Sequence, residues 1–408
     1  MVVWVQNPFD SLPGEGSRKM RYWLMCEAFA RAGHRVVFWT SDFSHATKRA
    51  RSARGGKVEE WKSGKVDGGS GLTSLTTPNF EVRFIPTPPY SRNVSLARVR
   101  SHRAYARAWL RLAADEAVRA KPDLVVASIP TISGAAAALT LGRRFGAKVV
   151  VDVQDAWPET FERLVPRFVL WPLRRAARRV YRDADLVTGV SVRYRDLTRR
   201  PDFYLAYHGI EVEKLKSENV EKLGEDSSNN LSTSHCSTVP PFHLSTSLLY
   251  IGNLGRTYDL ATVVRAVEAN DDFTLDVAGF GDFVSTCPRV RFHGLLAASA
   301  LEPLLASAAV GVVPMASDSW VGVPYKFCDY ARAGLPIVSS LGGETEALLA
   351  KYRSGVPYRA GDAASFADAV RRAAALDRGD VRRMCAEVFD AKKIYDNYVK
   401  HVTRTLFP

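Results

Sequence analysis

Lys326 and Asp329 stand one helical turn apart in the stretch GVPYKFCDYARAG at 322–334. Pro324 suits the first turn of a helix, where its missing N–H is not needed. A lysine in that turn opposes the helix dipole and is mildly unfavourable. A bound pyrophosphate reverses the sign, and Asp329 would then accept hydrogen bonds from a ribose diol. The alternative is an amphipathic helix carrying a solvated Lys326 and Asp329, and spacing alone does not choose between the two. Glycine loops offer the same chemistry. GNLGRT at 252–257 carries Gly252, Asn253 and Gly255, and GFGD at 279–282 carries Gly279 and Gly281; each follows a strand-like run. PGEGSR at 13–18 places Gly14 and Gly16 before an apparent helix over Arg18–Ala32. Glycine lets backbone approach a ligand closely, and a helix N-terminus supplies free N–H groups. Lys19 stands where a dinucleotide fingerprint needs its third glycine, so the first of these loops reads equally well as a turn.

Other chemistries lack their residues. There is no G-x-S-x-G, and His45, His102, His208 and His293 show no metal-ligand spacing. No D-x-D-type cluster suits a divalent ion, so no metal is expected. Cys26, Cys236, Cys287, Cys328 and Cys385 are scattered and odd in number, which argues against disulfides and for a reducing compartment. No basic region precedes an apolar stretch at the start, predicting no secretory leader, and no apolar run reaches membrane-spanning length.

These residues need a scaffold, and the pattern supplies one. Short Val-rich runs at 2–5, 35–40, 82–86, 124–128, 148–152 and 186–190 read as strands covered on both faces, with helical stretches between most of them. The rhythm stops at 213–246, a polar linker or insertion, and resumes from 248. A second irregular stretch, 45–80, is basic and glycine-containing and reads as a loop or lid. With 408 residues, two domains are expected. The fold class is α/β: two Rossmann-like, doubly wound domains facing each other across a cleft. The first spans 1–212 and the second 247–385, with a C-terminal helix over 386–408 packing back on the first.

The motifs in their order resemble one family. Lys326–Ile337 fits K-F-x-D/E-Y-x-x-x-G-x-P-I/V, Ile251–Gly255 fits I-G-N-L-G, and Gly342–Glu346 fits G-G-x-x-E. In the first half, the Gly14–Gly16 loop, DAWPE at 155–159 and TSDFSH at 40–45 are similar to transferases of cell-envelope polysaccharide assembly. The chain thus resembles a family 4 glycosyltransferase of the GT-B fold. The resemblance implies a nucleotide-sugar donor, most readily UDP-linked, as a substrate and not a cofactor. It also implies a lipid-linked or polysaccharide acceptor and retention of anomeric configuration. Asp329 takes the position that holds the ribose, with Glu346 nearby in the donor site, and Lys326 and Arg256 are the phosphate cations. Asp155 or Glu159 would orient or deprotonate the acceptor hydroxyl, unless Asp155 merely caps its turn. The family's first donor Glu falls on Val321, its loop Arg and Lys on Asn253 and Tyr258, and its acceptor-side His on Gln154. A sugar-nucleotide 2-epimerase of the same fold and a non-catalytic partner subunit are the alternatives.

The net charge of +13 is uneven: residues 1–212 hold 35 Lys and Arg against 20 Asp and Glu, and the rest 21 against 23. A donor pyrophosphate needs few cations, so the excess implies another polyanion. On the helix near 167–183, Arg174, Arg175, Arg178 and Arg179 adjoin an apolar face that starts near Trp171. Over 95–120, Arg103 and Arg107 form a ridge beside Leu96, Val99, Ala106 and Leu110. Solvated arginines are the plain reading; a helix lying on anionic lipid at the inner face of the cell membrane is the sharper one. Nucleic acid is not expected, because no aromatics interleave with the basic runs.

Overall fold

The Val-rich runs become strands because each buries both faces. The computed structural model describes residues 1–15, 18–51, 62–65, 73–93, 95–162, 165–212, 245–255, 257–317 and 319–408. The chain divides into two units: Met1–Gly209 with Trp320–Val323 and Lys392–Pro408, and Ile210–Ser319 with Pro324–Ala391. The boundary therefore falls three residues before the expected one. Residues 386–391 stay with the second unit, and the final helix joins the first from Lys392 onward.

The first unit holds β1 (Val2–Gln6), β2 (Arg35–Ser41), β3 (Lys62–Lys65), β4 (Thr73–Thr76), β5 (Glu81–Ile85), β6 (Leu124–Ile129), β7 (Lys148–Val153), β8 (Leu186–Gly189) and β9 (Tyr204–Leu205). They form one sheet in the order β3-β4-β5-β2-β1-β6-β7-β8-β9, antiparallel at β3–β4 and β4–β5 and parallel elsewhere. β3 and β4 lie inside the stretch expected to be irregular, so that expectation is corrected there; most of its remainder lies outside the described residues.

The helices of this sheet are α1 (Arg21–Arg31), α2 (Leu96–Arg119), α3 (Ile132–Phe145), α4 (Arg167–Asp183) and α5 (Arg193–Thr198). α1 begins at Arg21, not Arg18, so the Gly14 loop does not open it directly. Ser95 caps α2 by accepting the Arg98 N–H at 3.2 Å. The face α2 buries is Ser101, His102, Tyr105, Ala106, Trp109, Ala113 and Ala117, while Leu96 is 83% exposed. Ala106 and Leu110 join this core, where Trp109 meets Trp39 edge-on and Trp39 in turn meets Trp4.

The second unit is an all-parallel sheet of β10 (Thr246–Ile251), β11 (Phe273–Ala278), β12 (Val290–Gly294), β13 (Val310–Val313), β14 (Ile337–Ser339) and β15 (Gly355–Pro357), ordered β12-β11-β10-β13-β14-β15. Its helices are α6 (Leu260–Ala269), α7 (Ala298–Ser307), α8 (Tyr325–Ala333), α9 (Glu344–Tyr352), α10 (Ala363–Ala374) and α11 (Arg378–Met384). α12 (Ala391–Leu406) ends the chain. The linker read at 213–246 lies outside the described residues except for its last two, where β10 begins.

One buried ion pair ties the first unit together. Arg21 on α1 grips Asp152 of β7 with two bonds of 2.8 Å, and both side chains are sealed from solvent. Thr188 of β8 and Tyr22 also donate to Asp152, at 2.6 and 2.8 Å, and the Arg21 guanidinium caps the Ala206 and Tyr207 carbonyls. Tyr395 of α12 lies 5.7 Å from that guanidinium. Burial alone would raise the Asp152 pKa, but the Arg21 charge and these donors outweigh it and hold it below 3.8. Removing one member strands the other's charge, so Asp152→Asn is expected to cost roughly 3–5 kcal/mol in denaturant unfolding. The pair's contribution is complete above the free carboxylate value and is lost as pH falls towards the depressed one. Urea midpoints for wild type and variant measured from neutral pH downward test both statements; equal midpoints at neutral pH refute them.

Candidate functional site

In the second sheet, chain order runs β10, β11, β12 one way and β13, β14, β15 the other, so the switch point lies between β10 and β13. Ligands of open parallel sheets bind beyond the carboxyl ends of the strands at such a point. Here the loop after β10 and the helix after β13 deliver the glycines and Lys326.

Gly252 takes φ 134°, a conformation that other residues rarely adopt, and its N–H bonds to the Ala278 carbonyl at 2.9 Å. A Cβ on Gly279 would lie 1.7 Å from the Gly252 oxygen, so the two loops touch through bare backbone. Gly281 sits against Leu254, whose N–H bonds to the Phe280 carbonyl at 2.8 Å. The Tyr250 hydroxyl pins the loop from below by donating to the Asn253 carbonyl at 2.5 Å.

Lys326 enters this loop from the first turn of α8. Pro324 precedes that turn in extended conformation, and Gly334 closes the helix at φ 68°. Only 7% of Lys326 is exposed, and its Nζ finds no hydrogen-bond acceptor among the described residues. The ammonium lies 4.1 Å from the ring centres of both Tyr250 and Tyr258, and a methyl group on Gly252 would come within 3.0 Å of it. Two aromatic faces stabilise a cation partially but supply no counter-charge. Burial accordingly pushes the Lys326 pKa well below the ordinary lysine value. Tyr250 escaped the sequence reading, and Tyr258 entered it only as a departure from the family pattern. Tyr258 stands at a family lysine position, and its proximity to Lys326 depends on the fold.

Other residues read from the sequence fall in three groups. Asp329 is buried on α8 one turn beyond Lys326, Gly255 adjoins Asn253, and Glu346 lies exposed in the first turn of α9 beside Gly342. Gly14 is exposed in a turn closed by the Glu15 N–H to the Leu12 carbonyl, at φ 87°. Gly16 and Arg256 lie outside the described residues.

On the first sheet, Asp155 and Glu159 both follow β7, but different partners hold them. Asp155 keeps contact with solvent and makes no hydrogen bond through its carboxylate among the described residues. Desolvation raises its pKa, and Arg98 is the charge that opposes the rise. Glu159 opens a short 3-10 turn, Glu159–Phe161, and pairs with Arg174 of α4 at 3.4 Å. Desolvation raises Glu159 too, with Arg174 and Arg178 opposing and Glu162 reinforcing. Glu159 meets α4 through Oε1 alone, its Oε2 being buried with no hydrogen-bond partner among the described residues, and Arg174, also paired with Glu162, is not a free surface cation.

Arg167 and Arg182 at the two ends of α4 pair with Glu162 and Asp183, which leaves Arg175, Arg178 and Arg179 on this helix. Trp171, Arg175, Arg178, Arg179, Arg199 and Arg200 line an open groove of about 810 Å³. Arg175, Arg178, Arg179 and Arg199 meet no carboxylate at ion-pair distance among the described residues. Phe168 and Trp171 project at 78% and 60% exposure. Arg103 and Arg107 are exposed on α2 and do not line the groove.

A buried cation without a counter-charge costs stability, so Lys326→Met is expected to leave the melting temperature unchanged or raise it while abolishing binding of inorganic pyrophosphate. A large fall in melting temperature would make Lys326 structural. An anion restores the charged form, so between the depressed pKa and the complex's higher one, pyrophosphate binding takes up a proton and weakens as pH rises. Calorimetry in buffers of different ionisation enthalpy reads that uptake, and Lys326→Gln removes it.

The arrangement agrees with what the chain is similar to. Residues 20–204 match the model of a glycosyl transferase 4-like domain, and residues 245–375 match that of glycosyl transferases group 1. No curated protein sequence matches the chain. Among solved structures, a sucrose-phosphate synthase from Thermosynechococcus elongatus superposes with a TM-score of 0.69 at 14% identity, covering 100% of this chain and 99% of that one. The Anabaena protein HepE in complex with UDP-glucose gives 0.62 at 12%, covering 99% and 100%. The lipopolysaccharide outer core galactosyltransferase WaaB gives 0.59 at 12%, covering 99% of each. With both its units matched by glycosyltransferase domains and its two sheets built as those neighbours' are, the chain belongs to the family 4/1 glycosyltransferases of the GT-B fold.

Proposed function

We propose that this transferase moves a sugar from a UDP-linked donor to a lipid-linked or polysaccharide acceptor, with retention of configuration, at the inner face of the cell membrane. The observation carrying the donor side is Lys326, a buried ammonium with aromatic walls and no acceptor among the described residues. When the bond from the sugar's anomeric carbon to the β-phosphate oxygen breaks, negative charge develops on the diphosphate. A preorganised cation and the N–H groups at the start of α8 stabilise that charge without reorganising. Asp329 holds the ribose and Glu346 contacts the donor. The bond from the acceptor oxygen to the anomeric carbon forms on the face the diphosphate leaves, and the acceptor proton passes to a phosphate oxygen. Asp155 orients the acceptor hydroxyl, its exposed carboxylate having no hydrogen-bond partner among the described residues. HepE, similar in fold, is seen in complex with UDP-glucose, and that likeness supports the choice of nucleotide.

The α4 groove supports the membrane part of the reading. Arg175, Arg178 and Arg179 of α4, with Arg199 beyond α5, have no carboxylate partner among the described residues, and next to exposed Phe168 and Trp171 they suit an interfacial surface with its aromatics at headgroup level. No described helix is long and apolar enough to cross a membrane.

The donor test is thermal stabilisation by a panel of nucleoside diphosphates and their sugars. Saturating UDP-sugar should raise the melting temperature by several degrees, because ~100-fold excess over the dissociation constant is worth about 2.7 kcal/mol. Asp155→Ala should keep that shift and lose transfer. No shift with any nucleotide defeats the proposal, and donor consumed with no acceptor present would mark an epimerase instead. Flotation with vesicles should require anionic lipid, fade with salt, and weaken in Trp171→Ala and in the double variant Arg175→Gln/Arg178→Gln. Salt-independent binding, or none, removes the membrane part.

A further inference from the structure

Apart from the donor pocket and α4, the first sheet gathers a second group of cations at its carboxyl edge. The loop after β2 brings His45 and Lys48, the loop after β5 brings Tyr90 and Asn93, and the first turns of α2 bring Arg98 and His102. Lys48 donates to Asn93 Oδ1 at 2.7 Å and to His45 Nδ1 at 3.2 Å, and its ammonium lies 4.8 Å from the Tyr90 ring centre. Arg98 donates to the Asn93 carbonyl at 2.9 Å and to His102 Nε2 at 3.3 Å. Its guanidinium lies over Phe9 and Trp157, 5.6 and 5.5 Å from their ring centres. Every partner here is neutral. Neither cation has a carboxylate at ion-pair distance among the described residues, and the nearest charge that assists Arg98 apart from the Tyr90 phenol is Asp155.

The electrostatics record the strain of this grouping. Desolvation and the neighbouring Arg98 lower Lys48 to about 8, and desolvation also lowers Arg98. Both histidines are driven to about 3 by burial and by these cations, so they remain neutral and add no charge. Lys48 is also held at φ 58°, in a region non-glycine residues rarely occupy. The N-terminus of a 24-residue helix adds further positive potential. An ammonium has three donors and a guanidinium five, so both retain N–H groups beyond those already used. A dianion compensates both cations where a carboxylate would compensate one. A phosphomonoester carries about −1.5 to −2 at neutral pH and matches the Arg fork.

We infer that Lys48 and Arg98, framed by His45, His102 and Tyr90, form a phosphate subsite on the acceptor side, next to Asp155. Read with the proposed transfer, which the assignment to the acceptor rests on, it means that the acceptor carries a phosphoryl group close to its reacting hydroxyl. That phosphate comes either from a soluble sugar phosphate or from a lipid-linked one.

Calorimetric titration of the full chain with inorganic phosphate, glucose 6-phosphate and glucuronate tests the subsite, with UDP as a separate titrant. Phosphate and glucose 6-phosphate should bind, and Lys48→Gln and Arg98→Gln should each weaken both by about tenfold or more while UDP binding is retained. An unchanged melting transition of the variants shows that the first unit, which carries both substitutions, is folded. Phosphate binding that is absent, or equal in wild type and both variants, overturns the inference, as does a preference for glucuronate. If UDP fails to bind wild type while the phosphate losses remain, the transferase reading falls and the subsite stands. If UDP binds and the phosphate losses are missing, the reverse holds. Transfer to glucose 6-phosphate compared with a polyprenyl-phosphate-linked sugar in detergent then separates the two sources.

Discussion

Asp152 is sealed from water in the middle of the first sheet, and its charge must be met from within the protein. Arg21 meets it bidentately, and the arginine's remaining donors satisfy carbonyls just beyond β9, so one guanidinium joins α1, β7 and the chain leading out of the unit. Thr188 of β8 is locked to the same carboxylate, and Tyr398 of α12 reaches Thr188 at 3.4 Å. Elements far apart in sequence are thus registered by a single fully satisfied buried charge. Its worth lies less in net stability, which apolar replacements often match, than in the arrangement it imposes.

Lys326 is the opposite case in the same molecule. It is as deeply placed as a structural cation, yet the fold gives it aromatic faces and bare glycine backbone in place of a carboxylate. A fold that satisfies Arg21 so completely does not leave Lys326 uncompensated for want of acidic residues. An uncompensated buried charge is a cost to the fold that an anionic ligand would relieve, and Gly252, at a φ that only glycine adopts readily, lets the backbone pass close beside it.

Much of this was readable in the sequence, for physical reasons that also mark where reading failed. Strands such as β6 and β7 are unbroken apolar runs because helices cover both faces, and those runs survive inspection without a structure. β3 and β4 did not, since KSGK and TSLT lack both an apolar run and a strong alternation; they form by pairing outward from β5. On α2, of the aliphatic side chains read as one stripe Ala106 and Leu110 pack into the core with Tyr105 and Trp109, while Leu96 in the first turn stays exposed. Lys326 could be picked out by its place in a helix turn, but its cage comes from a strand and a loop much earlier in the chain. The partner of Glu159 was hidden for a related cause: its proximity to Asp155 in sequence says nothing of Arg174, which α4 brings to it.

The charge asymmetry acquires a different meaning once partners are known. Arg21, Arg31, Arg51, Arg83, Arg143, Arg174, Arg182 and Arg200 of the basic half are all paired with carboxylates, so the acidic residues present are largely consumed in holding helices and strands together. What remains is not spread evenly. One part sits beside Trp171 in an open groove, where salt would screen it and aromatic side chains adjoin it. Another sits half-buried among neutral histidines, tyrosine and asparagine, where screening is weaker and each unpaired cation costs more. An exposed arginine row is cheap to keep and suits a broad anionic surface. A desolvated Lys–Arg pair is expensive and suits one small dianion in a defined place, so the same surplus of charge divides by its burial into two kinds of recognition.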